Sequence, residues 1–265
     1  MGVLSCGGAA SGPIDHPRGA TELVLRSDTG GGLVPREVLV GALPGFSLYG
    51  DGTMIALGGL REIYPPPAMP NLLSSTVTEE GMQRILVAAR DAGLFSVRDY
   101  GTPGIADGAT TTFTVVADGN RSINEIYALG YGDPGSDPRL TEEQVGAREA
   151  ALGFSTKLGD LPGFLGSEVG LTAPYDYRSL AVFSRLVEPD QMGDAGGVTP
   201  NRLTWPLEDL TKVAVDQSGL GRIVVTGQDL ATLRPLLDQA TQITLWSSGG
   251  RFYRLIFRPL LPDEA

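Results

Sequence analysis

Three times in this chain, two short runs of aliphatic, aromatic and β-branched residues flank a tight turn. That recurrence limits the fold more than any other feature. Phe46–Tyr49 and Thr53–Leu57 lie on either side of Gly50-Asp51-Gly52. Thr110–Ala117 and Ser122–Leu129 enclose Asp118-Gly119-Asn120, and Ile243–Trp246 and Arg251–Phe257 enclose Ser247-Ser248-Gly249-Gly250. Residues that tolerate positive φ, set between β-prone runs, predict antiparallel hairpins. Glu22–Arg26, Ser179–Val187 and Arg222–Thr226 add single strands of similar composition;.

Helical signals fall between the hairpins. Thr78 caps a helix with Glu79 and Glu80 in its positive first turn, and Gly93 ends it;. Met82, Ile85, Leu86 and Ala89 recur at helical spacing and face a sheet;. A second helix begins at Thr141, where Thr-Glu-Glu-Gln forms a capping box, and Ala147, Ala150, Ala151, Phe154 and Leu158 give it an apolar stripe;. Gln228–Gln239 is a third, with Pro235 inside it predicting a kink or a fresh helical start;. Hairpins outnumber any parallel crossover unit. The fold class is therefore α+β: antiparallel sheet or sheets built of hairpins, with two to three helices packed on one face.

Residues 1–20 read as a flexible N-terminal tether and residues 21–265 as the globular region. Within it the order strand, helix, hairpin occurs around residues 53–129 and again around 222–257. Two similar halves, 21–160 and 178–265, follow from that pattern, joined by the Gly/Pro-rich crossover Gly159–Tyr177;. Residue identity between the halves is negligible, so the likeness is one of pattern. The loop Glu188–Arg202 carries no periodicity, and Tyr64-Pro65-Pro66-Pro67 breaks the chain.

Charge and cysteine content exclude several functions. A net charge of −11 with no run of three basic residues opposes binding to nucleic acid, whose affinity comes from neutralised phosphates;. With 42% hydrophobic and 19% charged residues the chain is globular rather than disordered;. No apolar run is long enough to span a bilayer. The single cysteine, Cys6, excludes an intrachain disulfide and a cysteine-based zinc site;.

Cys6 lies in Val3-Leu4-Ser5-Cys6-Gly7-Gly8, ahead of a Gly/Ala/Ser-rich stretch. This resembles the site at which bacterial lipoproteins are cleaved and lipidated, which makes Cys6 a lipid anchor and the membrane a partner through that lipid. A secretory leader has a basic start and an apolar run of about 7–15 residues, whereas five residues precede Cys6, so such a leader is expected upstream of Met1. The alternative is an incidental thiol on a loose end. The segment Phe46-Ser-Leu-Tyr-Gly-Asp-Gly-Thr53, the helix Glu79–Phe95 and the ending Tyr253–Glu264 together resemble uncharacterised secreted or lipidated proteins of actinobacteria. The resemblance implies an extracytoplasmic, lipid-tethered or secreted protein and no activity.

The remaining motifs read as structure. Asp28-Thr29-Gly30 is the triplet of aspartic peptidases, in which two carboxylates share a proton;. Arg26 and Ser27 replace the apolar residues expected before it, Gly31 follows it, and no second triplet exists, so it reads as a strand end and turn. His16, the only histidine, lies in the tether beside Pro17, which opposes a Ser-His-Asp triad or a histidine-ligated metal;. Asp133-Pro-Gly-Ser-Asp137, Asp190 and Asp194 lack the spacing of a calcium loop;. Gly30-Gly31-Gly32 and Gly196-Gly197 lack the residues of a phosphate-binding loop;. Trp205, Trp246, Phe252 and Tyr253 read as core rather than groove;. No catalytic, cofactor-binding or metal residue is assigned. The expected role is a cell-envelope binding domain for a protein, glycan or small ligand. A hydrolase built on carboxylates alone is the alternative, and a pair of carboxyls about 5–10 Å apart in a pocket is its mark.

Overall fold

The computed structural model describes residues 12–59, 62–193 and 196–265. Seven strands build the first sheet: β1 (Leu23–Gly30), β2 (Phe46–Tyr49), β3 (Thr53–Leu57), β4 (Leu72–Thr76), β5 (Thr110–Ala117), β6 (Asn120–Tyr127) and β7 (Ala173–Pro174). Their order is β6-β5-β1-β2-β3-β4-β7, with every neighbouring pair antiparallel. The second sheet holds β8 (Ser179–Leu186), β9 (Arg202–Thr204), β10 (Leu220–Thr226), β11 (Leu245–Ser248) and β12 (Arg251–Pro259). Its order is β10-β8-β12-β11-β9, with β9 and β11 parallel. All three hairpins form. At the β5–β6 turn both Asp118 (φ 50°) and Gly119 (φ 69°) are left-handed, as a two-residue hairpin turn of the favoured hand requires;.

The α-helices among the described residues are α1 (Arg36–Gly41), α2 (Glu79–Asp91), α3 (Glu142–Gly159), α4 (Leu161–Leu165) and α5 (Gly227–Leu237). The α+β class holds, but five helices replace the two to three expected. The two extra ones, α1 and α4, are too short to leave a periodic signature. The Thr78 hydroxyl accepts from the Gly81 amide, Gly93 at φ 76° ends that helix, and both capping-box bonds between Thr141 and Gln144 are made;. Helix α5 ends at Leu237, two residues beyond Pro235, rather than restarting there.

In the first lobe α2, α3 and α4 cover one face of the sheet. Met82, Ile85, Leu86 and Ala89 are buried there with Leu48, Phe113 and Val115, and Phe113 meets Phe154 of α3 edge-on at 5.7 Å;. Leu86 is wholly buried, so Leu86→Ala is expected to cost about 3 kcal/mol in urea denaturation. A loss under ~0.5 kcal/mol would show that this face does not pack. In the second lobe helices occupy both faces, so the one-face expectation fails there. Leu230, Leu233 and Leu237 of α5 pack with Leu180, Val182, Trp246 and Phe257. Helix α1 lies on the opposite face, where a Cβ on Gly41 would fall 2.9 Å from Ile256. The two strand–helix–hairpin units also differ in topology. In the first sheet the first hairpin strand, β5, sits inward beside β1; in the second sheet it is the second strand, β12, that sits inward beside β8.

Long-range segments stitch the lobes together. The β1–β2 connection carries α1 to the second sheet, where Glu37 pairs with Arg185 at 2.6 Å and Arg36 with Asp216 at 2.8 Å. In return, Leu261 (1% exposed) enters a cluster with Leu23, Tyr49, Ile55 and Leu72 on the uncovered face of the first sheet. Beside it Asp263 accepts from Arg26 (2.8 Å) and from the Tyr49 hydroxyl (2.9 Å), while Arg258 holds Glu264 through two bonds of 2.8 Å. Burial alone would push the Asp263 carboxyl up; the bond and charge of Arg26 outweigh it and hold the group below its ordinary value;. Glu264 is likewise raised by burial, then lowered further by Arg258 and the Leu261 amide. Both groups take up protons more readily in the unfolded chain. Their contribution is complete above the unfolded-chain values of about 4 and is lost as pH falls through the lower folded-state values. Urea midpoints are therefore expected to fall from about pH 5 toward pH 2, less steeply in Asp263→Asn. An unchanged slope in that variant would show that Asp263 does not titrate with folding.

His16 departs from its sequence reading. It is not on a mobile segment but buried, with Nδ1 2.7 Å from the Pro17 carbonyl and Nε2 3.1 Å from Glu79 at the start of α2. Ile14 is buried in the first core, and its amide and carbonyl both bond the Gln83 side chain. Residues 13–18, within the stretch read as tether, thus pack on the fold.

Candidate functional site

The loops around the start of α3 form a concavity tied together by hydrogen bonds. On β6 the buried Asn124 accepts from the Arg98 amide (3.2 Å) and the Tyr100 hydroxyl (3.3 Å) and donates to the Leu94 carbonyl (3.1 Å). This fixes the chain that leaves α2. Asp99 then accepts from the Gly101 amide (2.8 Å) and from Gln144 (2.9 Å), tying that loop to the capping box of α3. The Gly101 amide, seconded by Gln144, holds the Asp99 carboxyl below its ordinary value.

One turn beyond Gln144, Arg148 projects beneath these loops and is only 3% exposed. Its Nη1 donates to the Tyr100 carbonyl (3.2 Å), and its Nη2 donates to those of Tyr127 (2.7 Å) and Ala128 (2.9 Å). A buried cation ordinarily pairs with a carboxylate. Arg148 makes no ion pair among the described residues and is spent on three main-chain carbonyls instead. Burial lowers its pKa and the nearby Asp137 charge opposes that shift, but a guanidinium remains charged throughout the physiological range. Ala128, at φ 50°, is strained by roughly 1 kcal/mol for a residue with a Cβ;. Its carbonyl also accepts from the Tyr131 amide, and the turn presents the half-exposed Tyr131 ring.

The resulting cleft has a volume of about 400 Å³ and is lined by Pro103, Ile105, Tyr131, Asp133, Arg139 and Arg148 among others. Asp137 accepts from the Gly104 amide (2.6 Å) and the Arg139 amide (2.9 Å), and those two bonds hold its carboxyl below the ordinary value. Further concavities lie elsewhere on the surface. One of about 380 Å³ beside β10 includes Asp209, Lys212, Arg222 and Asp229, and one of about 310 Å³ between the lobes includes Tyr175, Tyr177 and Arg234. A catalytic acid needs a carboxyl pushed upward. Asp137 is shifted the other way, and so is Asp209, chiefly through the Thr211 amide.

Most motifs singled out in the sequence occupy ordinary structure. Asp28-Thr29-Gly30 is the end of β1, opposite Thr110–Thr112, and the Gly-rich turn follows at Gly31 and Gly32, both left-handed, as the reading of a strand end and turn expects. Trp205, Trp246 and Tyr253 are core, and Phe252 lies under the Arg202 guanidinium at 5.1 Å. Asp133 caps a short 3₁₀ turn at Pro134–Ser136, and Asp190 lies in another at Pro189–Gln191. No cluster of three or more metal-ligating side chains occurs among the described residues. Cys6 and Asp194 lie outside them. The chain matches no protein-family model, no curated protein and no solved structure. The cleft was missed because its loops carry no periodicity. The usable signal was Arg148 itself, a charged residue set between Ala147 and Ala151 on the apolar side of α3.

Proposed function

We propose that this is a cell-envelope protein, tethered through lipid on Cys6, whose first lobe is a non-catalytic binding domain with the Arg148 cleft as its ligand site. The observation that carries the binding role is the buried Arg148, which welds three wall segments into one preformed cavity; preformed, mainly apolar walls with a few fixed polar groups are the usual build of a small-molecule site. The tether rests on Cys6 and its small-residue flanks. For the site, thermal unfolding of wild type and Tyr131→Ala is compared across small molecules and cell-wall oligosaccharides. Compounds that raise the wild-type midpoint and lose that effect in the variant support the cleft; equal stabilisation of both proteins counts against it. For the tether, detergent-phase partitioning of the cell-expressed protein should be abolished by Cys6→Ser, and identical partitioning of both forms would remove the anchor.

A further inference from the structure

Resting on the reading of the cleft as a ligand site, we infer that it takes a small ligand bearing one carboxylate on a flat body, held by Arg139 in front of the fixed positive charge of Arg148. The balance of engaged and free groups points there. Asp137 has both oxygens on backbone amides, and Asp133 has one oxygen on the Gly135 amide at 3.0 Å. Arg139, by contrast, pairs with no carboxylate among the described residues, and Arg148, with three N–H groups on main-chain carbonyls, adds a fixed charge that no ion pair neutralises. The Arg139 guanidinium lies over Gly104, where a Cβ would fall 2.6 Å from its Nη1. Glycine at that position leaves room for the second guanidinium to lie against the main chain.

Arginine favours planar carboxylates, and charge-assisted hydrogen bonds are roughly twice as strong as neutral ones. With Asp133 and Asp137 offsetting the two cations, a phosphate dianion would gain little net attraction for its larger desolvation cost, which a singly charged group is spared. The Tyr131 ring, 51% exposed, and the walls of Pro103 and Pro138 give the rest of the ligand a rigid, flat surface. An aromatic acid and a sugar acid share this chemistry.

The test is a titration of isotope-labelled protein, followed by the amide signals of Gly104 and Gly132 and the Nε–H signal of Arg148. Benzoate and glucuronate are the acid probes, benzamide and glucose their neutral counterparts, and inorganic phosphate the competing anion. Saturable shifts of these signals are expected with an acid, at least about tenfold tighter than with its neutral counterpart. The tighter of the two acids identifies the source. Arg139→Gln should weaken the acid about tenfold while leaving the neutral probe unchanged, and because Arg139 is exposed, its loss does not threaten the fold;. A neutral probe or phosphate binding as tightly as the acids overturns the ligand class and leaves the cleft standing. An absence of shifts at the cleft with every probe overturns both.

Discussion

Deleting residues 260–265 is expected to cost roughly 5 kcal/mol or more, most of the stability of an ordinary domain. Leu260 and Leu261 are 6% and 1% exposed, and re-exposing each costs about 1.5–3 kcal/mol;. Their removal also uncovers Leu23, Ile55 and Leu72 on the first sheet. Arg26 and the Tyr49 hydroxyl lose Asp263, and Arg258 loses Glu264; partly buried groups left without partners cost about 1–3 kcal/mol each;. Urea denaturation of the shortened chain measures the sum. Leu261→Ala alone should give about 2–4 kcal/mol of it. A total below ~2 kcal/mol would mean that the segment is only loosely attached.

Arg148→Met is the second large effect, at least about 4 kcal/mol. Methionine fills much of the volume but offers no donor, so the carbonyls of Tyr100 and Tyr127 lose the guanidinium and that of Ala128 is left with the Tyr131 amide alone;. Arg148→Lys keeps the charge but cannot reproduce the planar fork and should cost about half as much. Denaturation gives the magnitude, and amide spectra give the location: signals of residues 99–105 and 127–132 should broaden or move while those of the second lobe stay in place. A loss under ~1 kcal/mol would show that water replaces the guanidinium at all three carbonyls.

What could be read in advance follows from range. The hairpins and the caps of α2 and α3 depend on residues within a few positions of one another, so turn chemistry and period suffice to find them. β4 reads Leu-Leu-Ser-Ser-Thr and has no clear alternation, and β9 is three residues long, so pairing partners far along the chain create both. Helix α1 is the extreme case. None of its residues is buried, and Arg36 and Glu37 hold it by ion pairs to Asp216 and Arg185. No amphipathic pattern exists to betray such a helix. The cleft is hidden for the same reason, since Arg148 is 48 positions from Tyr100 and 20 from Ala128.

The return of Leu261 to the first sheet also sets a timetable for biosynthesis. Leu72, one of its neighbours in the cluster, precedes it by 189 positions. At about 5–20 residues per second, the ribosome needs roughly ten to forty seconds to travel from one to the other. During that interval the helix-covered face of the first sheet can close, while Leu23, Ile55 and Leu72 on its other side have no cover. The nascent chain therefore carries an unfinished, sticky surface until Leu261 has been synthesised, which favours chaperone occupancy over that interval.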